Sequence, residues 1–115
     1  MAAPGDGPRA RPPIFGVEGR DCAGAFVVDV RGELDVATLP QFEAVVRAGE
    51  HSGHRRMVVD LGAVTFVDSG GVNALLQLHR RMTSASLELL ILPGRPRVQR
   101  VFVLMGLTTT LPFLA

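Results

Sequence analysis

The chain contains no lysine, tryptophan or tyrosine, and it has a single cysteine, Cys22. One thiol cannot form a disulfide within the chain, which is typical of proteins in a reducing compartment. Aromatic residues make up only 5% of the 115 residues, so the core must be built mainly from aliphatic side chains. Because no apolar run approaches the roughly 18 residues of a membrane-spanning helix, we expect a cytoplasmic protein that does not interact with membranes.

Neither sign of charge dominates the sequence. Twelve arginines are nearly balanced by eleven Asp and Glu residues, and the formal net charge is +1. Nucleic-acid-binding proteins usually carry a clustered basic excess, so the balance argues against direct nucleic-acid binding. Three histidines and one cysteine in no metal-ligand spacing predict neither a metal site nor a cofactor.

What the chain does have is a regular alternation of strand and helix patterns. Residues 1–13 are rich in Pro, Gly and Arg and are predicted to be a disordered leader. Residues 14–115 are predicted to form one domain, with helices starting near Thr38, Gly70 and Pro96 and strands at 14–18, 26–31, 57–61, 87–92 and 111–115. The alternation predicts an α/β fold, in which a mixed sheet of four or five strands packs against three helices.

Two of the helix starts carry capping signals. Thr38, Pro40 and Gln41 match a capping box with proline in the first turn. Ser69 follows the strand at 57–61 and a short connection, and it can cap the next helix. A residue there lies at the positive end of the helix dipole.

Ser69 can be interpreted in three ways. It can be a simple helix cap, whose loss costs about 1 kcal/mol. It can be a nucleophile, since Asp-Ser-Gly-Gly occurs in chymotrypsin-like proteases, but Val67 and Val72 stand where those enzymes have Gly and Pro. It can be a phosphorylation site, because a phosphate adds about −1.5 to −2 charges that a helix N-terminus tolerates and a packed partner does not.

Three segments of the chain resemble a known family. They are residues 32–38 (Gly-Glu-Leu-Asp-Val-Ala-Thr), residues 58–71, which end in Phe-Val-Asp-Ser-Gly-Gly, and residues 97–107. In order and spacing they are similar to the STAS-domain anti-sigma factor antagonists of bacterial partner-switching systems. The resemblance implies a STAS-type domain over residues 14–115.

The resemblance also implies a mechanism and a set of partners. In that family the unphosphorylated antagonist binds an anti-sigma factor that is also a serine kinase of the GHKL ATPase type, and this binding frees a sigma factor. The kinase then phosphorylates the serine after the Asp, which releases the antagonist, and a phosphatase resets it. The chain would be a kinase substrate and not an enzyme, with Ser69 as the phosphorylation site and Asp35 as a nearby acid that assists the kinase.

The expected partner-binding surface surrounds this serine. It comprises acidic residues, two glycines that admit a partner's backbone, and a polar strip further along the helix: Glu33, Asp35, Asp68, Ser69, Gly70, Gly71, Asn73, Gln77 and Arg80. Gly70 stands where the family usually has a second Ser or Thr, and Asn73 stands where it usually has Gly. We expect the strip from Asn73 to Arg80 to help select the kinase.

Several alternatives remain open at this point. A non-switching adaptor, such as a subunit of a stressosome or of a lipid transport complex, has the same fold, and a small hydrolase could use Ser69. Glu33 and Asp35 could serve acid–base chemistry or hold Mg²⁺, although such a pair more often lies at a solvated loop end. Arg95, Arg97 and Arg100 are expected to be ordinary solvated charges. The sequence leaves weak self-association open.

Overall fold

Aliphatic strands form the centre of the fold, and helices cover them. A computed structural model describes residues 15–114, and the leader predicted for residues 1–13 lies outside this range. The elements in chain order are β1 (Gly16–Cys22), β2 (Ala25–Leu34), α1 (Leu39–Glu50), β3 (Arg56–Val67), α2 (Ser69–Ser84), β4 (Glu88–Leu92) and α3 (Pro96–Leu104).

The four strands form one mixed sheet in the order β1-β2-β3-β4. β1 and β2 pair antiparallel, whereas β2 pairs parallel with β3 and β3 pairs parallel with β4. The predicted strand at 111–115 is reduced to a single bridge between Ile91 and Phe113, so a fifth strand is absent from the described residues. The predicted mixed α/β sheet with three helices is confirmed, with four strands.

β3 is longer than predicted, and its length places the candidate site. The connection predicted after Leu61 is in fact strand up to Val67. β2 also continues to Leu34, beyond its predicted end. Its residues Glu33 and Leu34 pair with Phe66 and Val67 of β3, after two shifts in register earlier in the pairing. Because β2 and β3 are parallel, their carboxyl ends meet at the same edge of the sheet, where open α/β sheets commonly bind ligands.

The core is aliphatic, as the composition predicts. Phe42 and Phe102 are its only fully buried aromatic side chains within residues 15–114. Met105 is 46% exposed, because α3 ends just before it, at Leu104. Leu78 of α2 is fully buried and belongs to this core.

The predicted capping box at α1 is wrong. Thr38 occupies the N-cap position, but its side chain makes no capping hydrogen bond. Its hydroxyl instead donates to the carbonyl oxygen of Glu33 at 2.8 Å and accepts from the amide of Asp35 at 3.0 Å. The backbone of Thr38 is nearly helical (φ −100°, ψ −8°), whereas a capping residue is typically extended, so the hydroxyl points back into the preceding turn.

An ion cluster joins α2 to α1. The guanidinium of Arg81, near the end of α2, lies 2.7 Å from Glu50 and 3.3 Å from Glu43, both on α1. The hydrogen bonds that Arg81 donates to the Glu50 carboxylate raise the pKa of Arg81 above its ordinary value, while partial burial opposes the rise. Because Arg81 and Glu50 are both largely shielded from solvent, this cluster fixes α2 against α1 more firmly than an exposed ion pair would.

We predict that Arg81→Met lowers the free energy of unfolding by about 1–2 kcal/mol, because it leaves the Glu50 carboxylate largely buried without a partner. Urea denaturation measures the change. Arg80→Met is the matched control, since Arg80 is exposed and should change stability by less than about 0.5 kcal/mol. Equal losses in the two variants would contradict the role given to the cluster.

Candidate functional site

Two segments meet at the carboxyl edge of the sheet. One is the β2–α1 loop (residues 35–38), and the other is the β3–α2 junction (residues 68–71). The amide of Asp68 donates to the carbonyl oxygen of Leu34 at 3.4 Å, and the amide of Val36 donates to Oδ2 of Asp68, also at 3.4 Å. The junction and the loop therefore form one surface.

Asp68, and not Ser69, caps α2. Its backbone is extended, with φ −104° and ψ −177°, and its Oδ1 accepts a hydrogen bond from the amide of Gly71 at 2.8 Å. Ser69 is the first residue of the helix. Asp and Ser are about equally good caps, so the sequence could not distinguish the two positions, and the prediction that Ser69 is the cap is wrong.

The hydroxyl of Ser69 is available to another molecule. The side chain is exposed, and no hydrogen bond to its Oγ is formed by the residues that the structure describes. It lies on the first turn of a helix of 16 residues, where free backbone N–H groups create a positive potential. Within residues 15–114 it also has no general base at hydrogen-bond distance, which a serine nucleophile would need.

The two glycines have different surroundings. Gly71 is buried, and a Cβ there would lie 2.5 Å from the carbonyl oxygen of Leu34 and 2.8 Å from Cγ2 of Val67. Glycine at this position therefore lets α2 pack closely on β2 and β3. Gly70 is half-buried, and the nearest atom to a Cβ there is Oδ1 of Asp68 at 3.2 Å, so Gly70 is the one placed beside the outer surface.

The carboxylates near Ser69 are not arranged as a metal site. Glu33 is exposed at the end of β2, and Asp35 is half-buried. Oδ1 of Asp35 accepts from the amides of Ala37 and Thr38 at 3.0 and 3.1 Å, so it holds its own turn. No group of three or more His, Cys, Asp or Glu side chains in the described range could hold a metal ion.

The polar strip of α2 and two apolar residues extend the surface. Asn73, Gln77 and Arg80 are exposed and follow Ser69 at helical spacing. Val36 is 73% exposed and Phe66 is 49% exposed, and neither was predicted as part of the site. An apolar side chain inside an acidic turn was a usable signal for Val36. Phe66 has no comparable signal, because it stands among other apolar residues, Val64 and Val67, which are buried.

The described helices include none that is long and apolar enough to cross a membrane. Arg95, at the N-cap of α3, and Arg97 and Arg100, within α3, are all exposed, as expected of solvated charges. Arg95 donates to the carbonyl oxygen of Gly62 at 3.3 Å.

The fold and this surface define a small α/β domain whose candidate site lies on an open edge of the sheet and not in an enclosed cleft. The family model for the STAS domain matches residues 17–114. The chain belongs to the STAS family, and the resemblance observed in the sequence is confirmed.

Known relatives agree with this assignment. The chain is 34% identical over 82 residues to the anti-sigma-B factor antagonist of Staphylococcus aureus, covering 71% of this chain and 76% of that protein. A crystal structure of an anti-sigma factor antagonist from Mycobacterium paratuberculosis matches with a TM-score of 0.75 and 28% identity, over 87% of this chain and 85% of the other. The structure of the anti-sigma factor antagonist SpoIIAA in its unphosphorylated form shares the fold, with a TM-score of 0.70 and 24% identity over 88% and 86% of the two chains.

We predict that Asp68→Ala lowers the free energy of unfolding by about 1 kcal/mol or more, because it removes the cap of α2. Asp68→Asn keeps an acceptor for the Gly71 amide and should lose much less. Ser69→Ala should change stability by less than about 0.5 kcal/mol, since the hydroxyl holds nothing within the domain. Chemical denaturation of the three variants checks this order, and a larger loss for Ser69→Ala than for Asp68→Ala would contradict it.

We also predict that Gly71→Ala lowers stability by about 2 kcal/mol, because the new methyl group would overlap the backbone of Leu34. Gly70→Ala is the matched neighbour and should change stability by less than about 1 kcal/mol. Thermal unfolding followed by circular dichroism measures both. Similar midpoints for the two variants would show that the close packing at Gly71 is not required.

Proposed function

We propose that this chain is an anti-sigma factor antagonist that is regulated by phosphorylation of Ser69. In its unphosphorylated form it binds an anti-sigma factor that is also a serine kinase of the GHKL ATPase type, and binding frees a sigma factor for transcription. The observation that carries the proposal is that Asp68 caps α2 and leaves the hydroxyl of Ser69 exposed on the first helical turn. The curated relatives named anti-sigma factor antagonists support the general role.

The charges around Ser69 explain how one phosphate would switch the contact. The helix N-terminus stabilises an added anion, so the domain keeps its shape. A partner packed on this surface would have to desolvate the phosphate next to the carboxylate of Asp68, with Glu33 and Asp35 on the adjoining segment. A penalty of about 3 kcal/mol lowers affinity roughly a hundredfold.

The remaining surface residues have proposed roles in recognition. Glu33 and Asp35 present negative charge beside the serine and assist the kinase. Asn73, Gln77 and Arg80 extend the contact along α2 and select among kinases. Gly70 lets the partner's backbone approach, and a separate phosphatase removes the phosphate. The chain itself acts as a substrate and a binding protein, without catalysis of its own.

The test uses the full chain with the purified GHKL-type kinases of its source genome, each incubated separately with ATP and Mg²⁺. Mass spectrometry should find a single phosphate on Ser69 and none on Ser69→Ala. The exposed serines Ser52, Ser84 and Ser86 are internal controls and should stay unmodified. Ser69→Asp should bind the kinase about a hundredfold more weakly, with an unchanged unfolding midpoint, as measured by calorimetry.

Two other outcomes would contradict this proposal and indicate a different function. A partner that binds wild-type and Ser69→Asp chains equally, with no phosphate on Ser69, would indicate a non-switching adaptor. Covalent labelling of Ser69 by a serine-directed probe would indicate a hydrolase.

Asn73→Ala tests the role of the polar strip of α2 in kinase binding, with Ser84→Ala at the far end of α2 as its control. Equal affinities of the two variants for the kinase would remove the role proposed for the strip.

A further inference from the structure

An apolar groove lies directly beside the candidate site. It runs between the carboxyl end of β3 and α3, and it encloses about 220 Å³. Its lining is almost entirely apolar, with one cation, and consists of Thr65, Phe66, Val67, Arg97, Val98 and Val101. The polar strip of α2 and the acidic β2–α1 loop are not part of it, so the groove is a separate feature of the same edge.

The walls of the groove differ in exposure. Val67 and Val98 are almost fully buried and belong to the core, so they form a fixed floor. Phe66 is 49% exposed and Arg97 is exposed, so both can contact another molecule. An exposed aromatic ring over an apolar floor is a typical anchor for a partner's side chain, because its burial removes a large apolar area from water.

The position of the groove determines what can occupy it. Phe66 is three residues before Ser69, so the two Cα atoms are separated by at most about 11 Å. A protein interface of standard size buries about 800 Å² on each partner, which corresponds to a patch about 30 Å across. A patch of that size centred on Ser69 is therefore wide enough to include Phe66 at the mouth of the groove.

The charges around the groove indicate which kind of partner segment could bind in it. Arg97 borders the apolar lining, and Arg100 is exposed one turn further along α3. No carboxylate within residues 15–114 forms an ion pair with either arginine. On the β2 side, Glu33 pairs in register with Phe66 and supplies the opposite charge. An apolar side chain with a carboxylate placed toward α3 complements this arrangement.

We propose that the groove receives a segment of the anti-sigma kinase that docks at Ser69, and that this segment presents an apolar side chain followed or preceded by an acidic residue. The inference rests on the proposed function, since it assigns a second contact to the same partner. It makes Phe66 and Arg97 determinants of affinity that do not depend on the phosphate. The α2 strip and the groove then hold the partner on two sides of the serine.

The test measures the affinity of the unphosphorylated chain for the GHKL-type kinase that phosphorylates Ser69. Phe66→Ala should weaken binding at least tenfold, because the variant loses the aromatic anchor. Leu114→Ala is the matched control, since Leu114 is 38% exposed and lies outside the groove.

Arg97→Glu should weaken binding about tenfold at low salt and less at high salt. Arg55→Glu, an exposed arginine before the start of β3, is its control.

A cross-linking experiment identifies the occupant directly. A photoreactive benzoyl-phenylalanine at position 66 should cross-link to one peptide of the kinase, and that peptide should contain an apolar residue within a few positions of Asp or Glu. Cross-linking to a peptide without a carboxylate would overturn the proposed chemistry.

The failures of the two proposals can be told apart. If wild-type Ser69 is phosphorylated but Phe66→Ala and Arg97→Glu bind as tightly as their controls, the groove proposal is wrong and the proposed function stands. If no kinase binds or phosphorylates the wild-type chain, the proposed function fails and the groove proposal fails with it.

Discussion

The carboxylate of Asp68 is the constraint on which the candidate site depends. One of its oxygens caps α2 through the amide of Gly71, and the other accepts from the amide of Val36 in the β2–α1 loop. A single side chain thus sets where the helix begins and joins the two segments of the surface. Because the Asp68 side chain caps the N-terminus of α2, the neighbouring Ser69 has no structural task within the domain.

This division of tasks suits a switch that acts at a surface. A serine needed as a cap would couple phosphorylation to the stability of the helix, whereas Ser69 can gain charge at a helix N-terminus that stabilises anions. The rigid parts lie beneath it: Gly71 brings α2 against β2, and the ion cluster of Arg81 holds the other end of α2 to α1. The proposed switch therefore changes what the surface can bind while the fold stays the same.

Sequence patterns predicted the structure well where buried residues recur at the spacing of a helix or a strand. They predicted it poorly at element ends, where local hydrogen bonds and pairing with distant strands decide the conformation. The aliphatic core, the three helices and the mixed sheet followed from apolar spacing, and the family followed from three motifs. The errors were confined to the ends of elements. The hydroxyl of Thr38 donates to the carbonyl oxygen of Glu33, β3 continues to Val67, and residues 111–115 form only a bridge. Strand length depends on pairing with β2, which lies far from β3 in the chain and leaves no local signal.

The sequence by itself determined the fold class, the family and the position of the candidate serine, because apolar periodicity and short motifs are properties of neighbouring residues. Only the tertiary structure decided which residue caps α2, why Gly71 must lack a side chain, and that Phe66 borders a groove against α3. These features depend on segments that are distant in the chain and adjacent in space. Their distances are set by sheet pairing and helix packing, which no local pattern encodes.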